Sequence, residues 1–129
     1  MITMSIPSIS RVKCIIELKN KGNCECEFIR HLAPVSVGSI LRALPLEGRV
    51  IMEDNYIGLL TNISLGAEKQ RDNYKKGDIG FRVYDSAICI FTKDVSMKGF
   101  NPLGRVLTNI NILEEASRGD VIIIKRLGS

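Results

Sequence analysis

The chain has 129 residues, 45% of them hydrophobic and 25% charged, with a formal charge of +4 and a pI near 9.0. This composition excludes a disordered or fibrous chain and supplies enough length for one hydrophobic core, so residues 1–129 are read as a single domain. Lysine and arginine are scattered, and the densest run, Lys69 to Lys76 in KQRDNYKK, includes Asp72 and reads as a solvated loop, so nucleic acid is not an expected partner.

In chain order, the opening MITMSIPSIS lacks the basic start and apolar run of a leader. No later window approaches the roughly 20 apolar residues of a membrane span, so a cytoplasmic protein with no membrane partner is expected. From Arg11 to Leu18, residues Val12, Cys14, Ile16 and Leu18 alternate with Lys13, Ile15 and Glu17, the pattern of a half-buried strand. NCECEFIRH repeats the alternation with Cys24, Cys26 and Phe28 against Glu25 and Glu27, and KNKGN supplies the turn of a hairpin. Pairing Leu18 with Cys24 across that five-residue loop sets Ile16 opposite Cys26 and Cys14 opposite Phe28, giving one apolar face.

In APVSVGSILRAL the period changes: Val37, Ile40, Leu41 and Leu44 form a helical stripe, bounded by Pro34 in the first turn and by Pro45. GRVIMEDNYIGLLTNISL reads as two short strands around Glu53-Asp54-Asn55. After the charged connector GAEKQRDNYKK come the strands GDIGFRVY and AICIFT, the second apolar on both faces. GRVL, a short helix starting near Asn109 in NINILEEASRG, and the strand DVIIIKRL complete the chain. Strands in runs with two separated helices predict a mainly β fold, an antiparallel barrel capped by two short α-helices.

Chemistry-bearing motifs are sparse. Cys14, Cys24, Cys26 and Cys89 form no CxxC pair and His31 is the only histidine, so no metal site is expected and the thiols read as core packing. Gly77-Asp78 and Gly119-Asp120 read as turns, the latter inside the tripeptide Arg118 to Asp120. The chain carries no phosphate-cradling glycine loop, HExxH or GxSxG, and no cofactor is expected.

The ordered set of segments resembles the cyclophilins. The hairpin leads into Ala33-Pro34 and a helix ending Leu41-Arg42-Ala43-Leu44. SAICIFTKDVSMKGFNPLGRV follows as a buried strand, a loop and a strand resuming at Gly-basic-Val, and INILEEA with DVIIIKRL closes the order. Gly77-Asp78-Ile79-Gly80-Phe81 and Ala87-Ile88-Cys89-Ile90-Phe91 are similar to stretches of the compact cyclophilin-like family of archaeal and bacterial proteins without assigned function. The resemblance implies a closed antiparallel barrel with a cleft on its outer wall. In the isomerases of that fold an arginine in the cleft stabilises a twisted prolyl amide against a barrier of about 18–20 kcal/mol.

Carried over residue by residue, Arg49 takes the arginine position and Tyr56 falls near the expected aromatic. Leu59 replaces a glutamine, Cys89 the phenylalanine of the proline pocket and Met97 a large aromatic, while Asn101 or Pro102 stands near a histidine. The resemblance thus implies a cleft of Met52, Tyr56, Phe81, Tyr84, Cys89 and Met97 that lacks an aromatic-walled proline pocket. Its expected role is binding a small molecule or an extended, proline-containing peptide. A weak prolyl isomerase using Arg49 and a homodimeric assembly role are the alternative readings.

Overall fold

The computed structural model describes residues 10–128; the reading of the N-terminus as leaderless falls almost wholly on residues 1–9, outside them. Strands β1 (Arg11–Leu18) and β2 (Gly22–Ile29) form the expected hairpin, with Cys14, Ile16, Leu18, Cys24, Cys26 and Phe28 all buried. The register differs from expectation by two residues: Leu18 faces Gly22, Ile16 faces Cys24 and Cys14 faces Cys26. Asn20 (φ 69) and Gly22 (φ 145) take positive φ and tighten the turn. A shift of two preserves the alternation, so the apolar face survives.

Helix α1 (Pro34–Ala43) begins on its proline and buries Val37, Ile40 and Leu41 in the barrel core, with Leu44 packed against it. Strands β3 (Leu46–Met52) and β4 (Tyr56–Leu60) flank the predicted turn. Then come β5 (Asn73–Tyr74), β6 (Asp78–Arg82), β7 (Ala87–Phe91), β8 (Val95–Ser96), β9 (Phe100–Val106) and β10 (Val121–Arg126).

Eight of these close an antiparallel barrel in the order β1-β10-β3-β4-β7-β6-β9-β2, which leaves no strand edge within the sheet unpaired. The segment after Asn109 is a 3-10 helix, Ile110–Glu115, where a second α-helix was expected. Asn109 enters it in the left-handed conformation, and Ile110 and Leu113, three residues apart, share one face of a three-residue turn.

Every residue of β7 is buried, as its unbroken apolar run predicts. Ile88 and Ile90 fill the barrel interior while Ala87, Cys89 and Phe91 join a second cluster on the outer wall. That cluster is covered by β5 and β8, a two-stranded ribbon with Asn73 opposite Ser96 and Tyr74 opposite Val95. No described helix is long and apolar enough to cross a membrane.

Candidate functional site

The outer cluster is built on aromatic rings with polar anchors. Tyr74, 2% exposed, stacks on Phe91 at 4.6 Å and 10°, and its hydroxyl donates to the Phe100 carbonyl at 2.8 Å. Phe91 and Phe100 meet edge to face at 5.1 Å, and Tyr56 packs 5.6 Å from each. These contacts pin the ribbon to the barrel wall. Burial pushes the Tyr74 phenol above its ordinary pKa, against the opposing pull of Arg71.

Beside this ribbon lies a concavity of about 630 Å³ lined by Arg71, Asn73, Tyr74, Lys75, Asp78, Asp94, Val95 and Ser96. Its charged groups are placed by short-range backbone bonds. One oxygen of Asp78 accepts the Lys75 amide at 2.9 Å, and Gly77 (φ 96) makes the intervening turn. One oxygen of Asp94 accepts the Lys76 amide at 2.8 Å. Each carboxylate keeps a second oxygen outside these bonds. The Arg71 guanidinium lies 5.3 Å over the Tyr74 ring, and the Ser96 hydroxyl donates to Asn73 Oδ1 at 2.6 Å. Opposite charges thus line one concavity beside a buried aromatic ring, an arrangement that can orient a small molecule carrying both signs.

None of the seven residues expected in the cleft lines this concavity, and the fold divides them: Tyr56, Cys89 and Met97 share the outer cluster, and Arg49 and Met52 share a separate depression. Phe81 points into the barrel interior and is fully buried. Tyr56 and Cys89 are buried members of the outer cluster, and Met97 packs against it. Tyr84 is 80% exposed and lies over Arg82, whose guanidinium sits 4.9 Å from its ring and 5.2 Å from that of Tyr56. Arg82 donates to both Asp85 oxygens, at 2.9 and 2.7 Å, and to the Tyr56 hydroxyl. Its donors are committed to the wall. Arg49 and Met52 lie apart from these, in a shallow depression with Val50, Arg118 and Gly119.

The thiols are poorly suited to nucleophilic work. Burial raises Cys89 to about 12 and Cys14 and Cys24 to about 11, and it pushes Cys26 up as well, so all four stay protonated at neutral pH. Among the described residues no group of three or more histidine, cysteine or acidic side chains could hold a metal ion.

In sequence Lys69 to Lys76 has the pattern of a solvated loop, which hides the concavity. The one available signal was Tyr74, an aromatic residue inside a charged run.

Comparison with known proteins follows the same lines. The family described as cyclophilin-like matches residues 10–125. No curated protein matches the chain in sequence. The solution structure of a hypothetical protein from Archaeoglobus fulgidus superposes with a TM-score of 0.73 at 22% identity, covering 91% of this chain and 95% of that one. McbB, solved in complex with tryptophan, also superposes with a TM-score of 0.73, at 15% identity over 90% of this chain. The chain spans 45% of the McbB length, and at these identities both likenesses concern the fold alone.

Proposed function

The chain belongs to the cyclophilin-like family, and from that premise we propose that it is a binding domain without isomerase chemistry. Its ligand is a small molecule or short peptide bearing both charges, held in the concavity of Arg71, Lys75, Asp78 and Asp94. One observation carries this reading: the concavity presents opposite charges beside Tyr74, whereas the wall that carries the proline pocket in the isomerases is filled here. Cys89 and Phe91 are fully buried there, and Arg49 stands apart with its Nη1 donating to the Gly119 carbonyl at 3.3 Å. An isomerase of this fold requires its arginine beside an open apolar pocket, because the guanidinium must reach the strained amide seated there.

The test is an amide NMR titration with free amino acids and X-Pro dipeptides. Shifts should concentrate on Asn73 to Asp78 and Asp94 to Ser96, and Arg71→Ala should weaken binding about tenfold, the effect of losing one charge-assisted contact. The dipeptides report exchange in the same experiment. Faster cis/trans exchange that Arg49→Ala abolishes would replace this reading with the isomerase, and the absence of shifts around the ribbon would remove it.

A further inference from the structure

The geometry points to a second site, separate from the concavity beside the ribbon, that takes a small phosphate monoester between Arg49 and Arg118. Pairing of β10 with β3 sets Val121 opposite Arg49, and the Val50 amide donates to the Asp120 carbonyl at 2.9 Å. These bonds draw the Ser117–Asp120 turn against β3. The result is a depression of about 260 Å³ lined by Arg49, Val50, Met52, Arg118 and Gly119.

Two features distinguish this depression from an ordinary exposed surface. First, neither guanidinium has an ion-pair partner among the described residues, whereas the acid of the turn, Asp120, is paired with Lys21 at 2.8 Å. Asp120, the acid within the turn, is committed elsewhere: its Oδ2 accepts Lys21 Nζ and the Ser117 amide, both at 2.8 Å. The positive field of the two arginines is therefore not cancelled from within the turn. Second, the Arg49 guanidinium is oriented by its bond to the Gly119 carbonyl, and Gly119 (φ 90) presents that carbonyl in a conformation that favours glycine.

Guanidinium forks match phosphate oxygens in pairs, and two of them offset a dianion. Met52, 39% exposed at the edge of the depression, supplies an apolar surface for the organic part of the ester. Glu47 lies two residues from Arg49 on the same face of β3 and pairs with neither arginine; its field opposes the anion from one side.

The test uses phenyl phosphate, followed through the arginine Nε–Hε signals and backbone amides of the full chain, with inorganic phosphate and benzyl alcohol as comparators. Signals of Arg49, Arg118 and Gly119 should move with phenyl phosphate, at lower concentration than with inorganic phosphate, and stay still with benzyl alcohol. Arg49→Ala and Arg118→Ala should each weaken binding about tenfold, Glu47→Gln should tighten it, and Arg71→Ala should leave it unchanged. Tightening by Glu47→Gln cannot be produced by a damaged fold. Equal movement of all arginine signals, or binding that Arg118→Ala leaves intact, would overturn the site and identify the effect as attraction to the net charge.

Discussion

The two hydrophobic clusters of this protein lie on opposite faces of the same strands and are held by different physics. Inside the barrel, Phe28, Phe81 and Ile88 pack with the thiols of Cys14, Cys24 and Cys26, groups that need no strong hydrogen bond when buried. Outside, Tyr56 and Tyr74 are also buried, but each carries a hydroxyl that is bonded, to Arg82 and to Phe100 respectively. Shape alone fixes the interior, whereas the outer cluster is oriented by named polar bonds. An oriented cluster can hold a binding ribbon in one place; an interior packed by volume only has to stay closed.

Removing volume from the interior should have the largest effect. Phe81→Ala deletes a fully buried ring and is expected to cost about 3–5 kcal/mol, read from denaturant unfolding and from hydrogen exchange that loses protection across all barrel strands together. A loss confined to β6 and its neighbours would break the comparison, since it would show that the interior is not one cooperative unit.

The outer cluster should respond to the loss of a single oxygen. Tyr74→Phe keeps the stacked ring but leaves the Phe100 carbonyl without its partner, an expected cost of about 1–3 kcal/mol. Exchange should accelerate first at the ribbon, where the Met97 amide donates to the Asp72 carbonyl at 2.9 Å, while the interior strands remain protected. Uniform loss of protection would mean that the ribbon and barrel open as one.

This division also explains what the sequence could and could not reveal. Strand alternation in RVKCIIEL and NCECEF exposes the interior face, because burial on one side of a sheet imposes a period of two. It does not expose the pairing of Cys14 with Cys26, because a two-residue slip preserves that period. The ribbon strands Asn73–Tyr74 and Val95–Ser96 are too short to have any period, and their placement depends on Phe91 and Phe100. Among the candidate residues, Tyr56, Cys89 and Met97 share the outer cluster and Arg49 and Met52 share one depression. The inward turn of Phe81 follows from the strand parity of β6, which neighbours Ile79 and Arg82 fix only once the barrel closes.

The start of α1 shows the same limit on a smaller scale and carries the smallest expected effect. Ala33 has no side chain to cap the helix, and the cap comes from Glu68 on the distant connector: its carboxylate accepts the Val35 amide at 3.0 Å, and the Ser36 amide and hydroxyl at 2.8 and 2.7 Å. Asn101, fully buried, ties the same connector down by accepting the Glu68 amide at 2.9 Å and donating to the Gly66 carbonyl at 2.9 Å. Burial raises the Glu68 pKa, but the Ser36 hydroxyl and the two amides outweigh it and hold the carboxyl below its ordinary value of 4.5. The unfolded chain therefore takes up the proton more readily than the folded one. The stabilisation is complete above the ordinary carboxylate range and is lost as pH falls through the lowered folded value. Glu68→Gln keeps the shape and one acceptor but removes the charge at the positive end of the helix. The gap in Tm between wild type and this variant should be widest near neutrality and narrow steadily towards about pH 3. A gap that stays constant across that range would mean that the connector is held by Asn101 and packing, with the carboxylate charge contributing nothing to the outer wall.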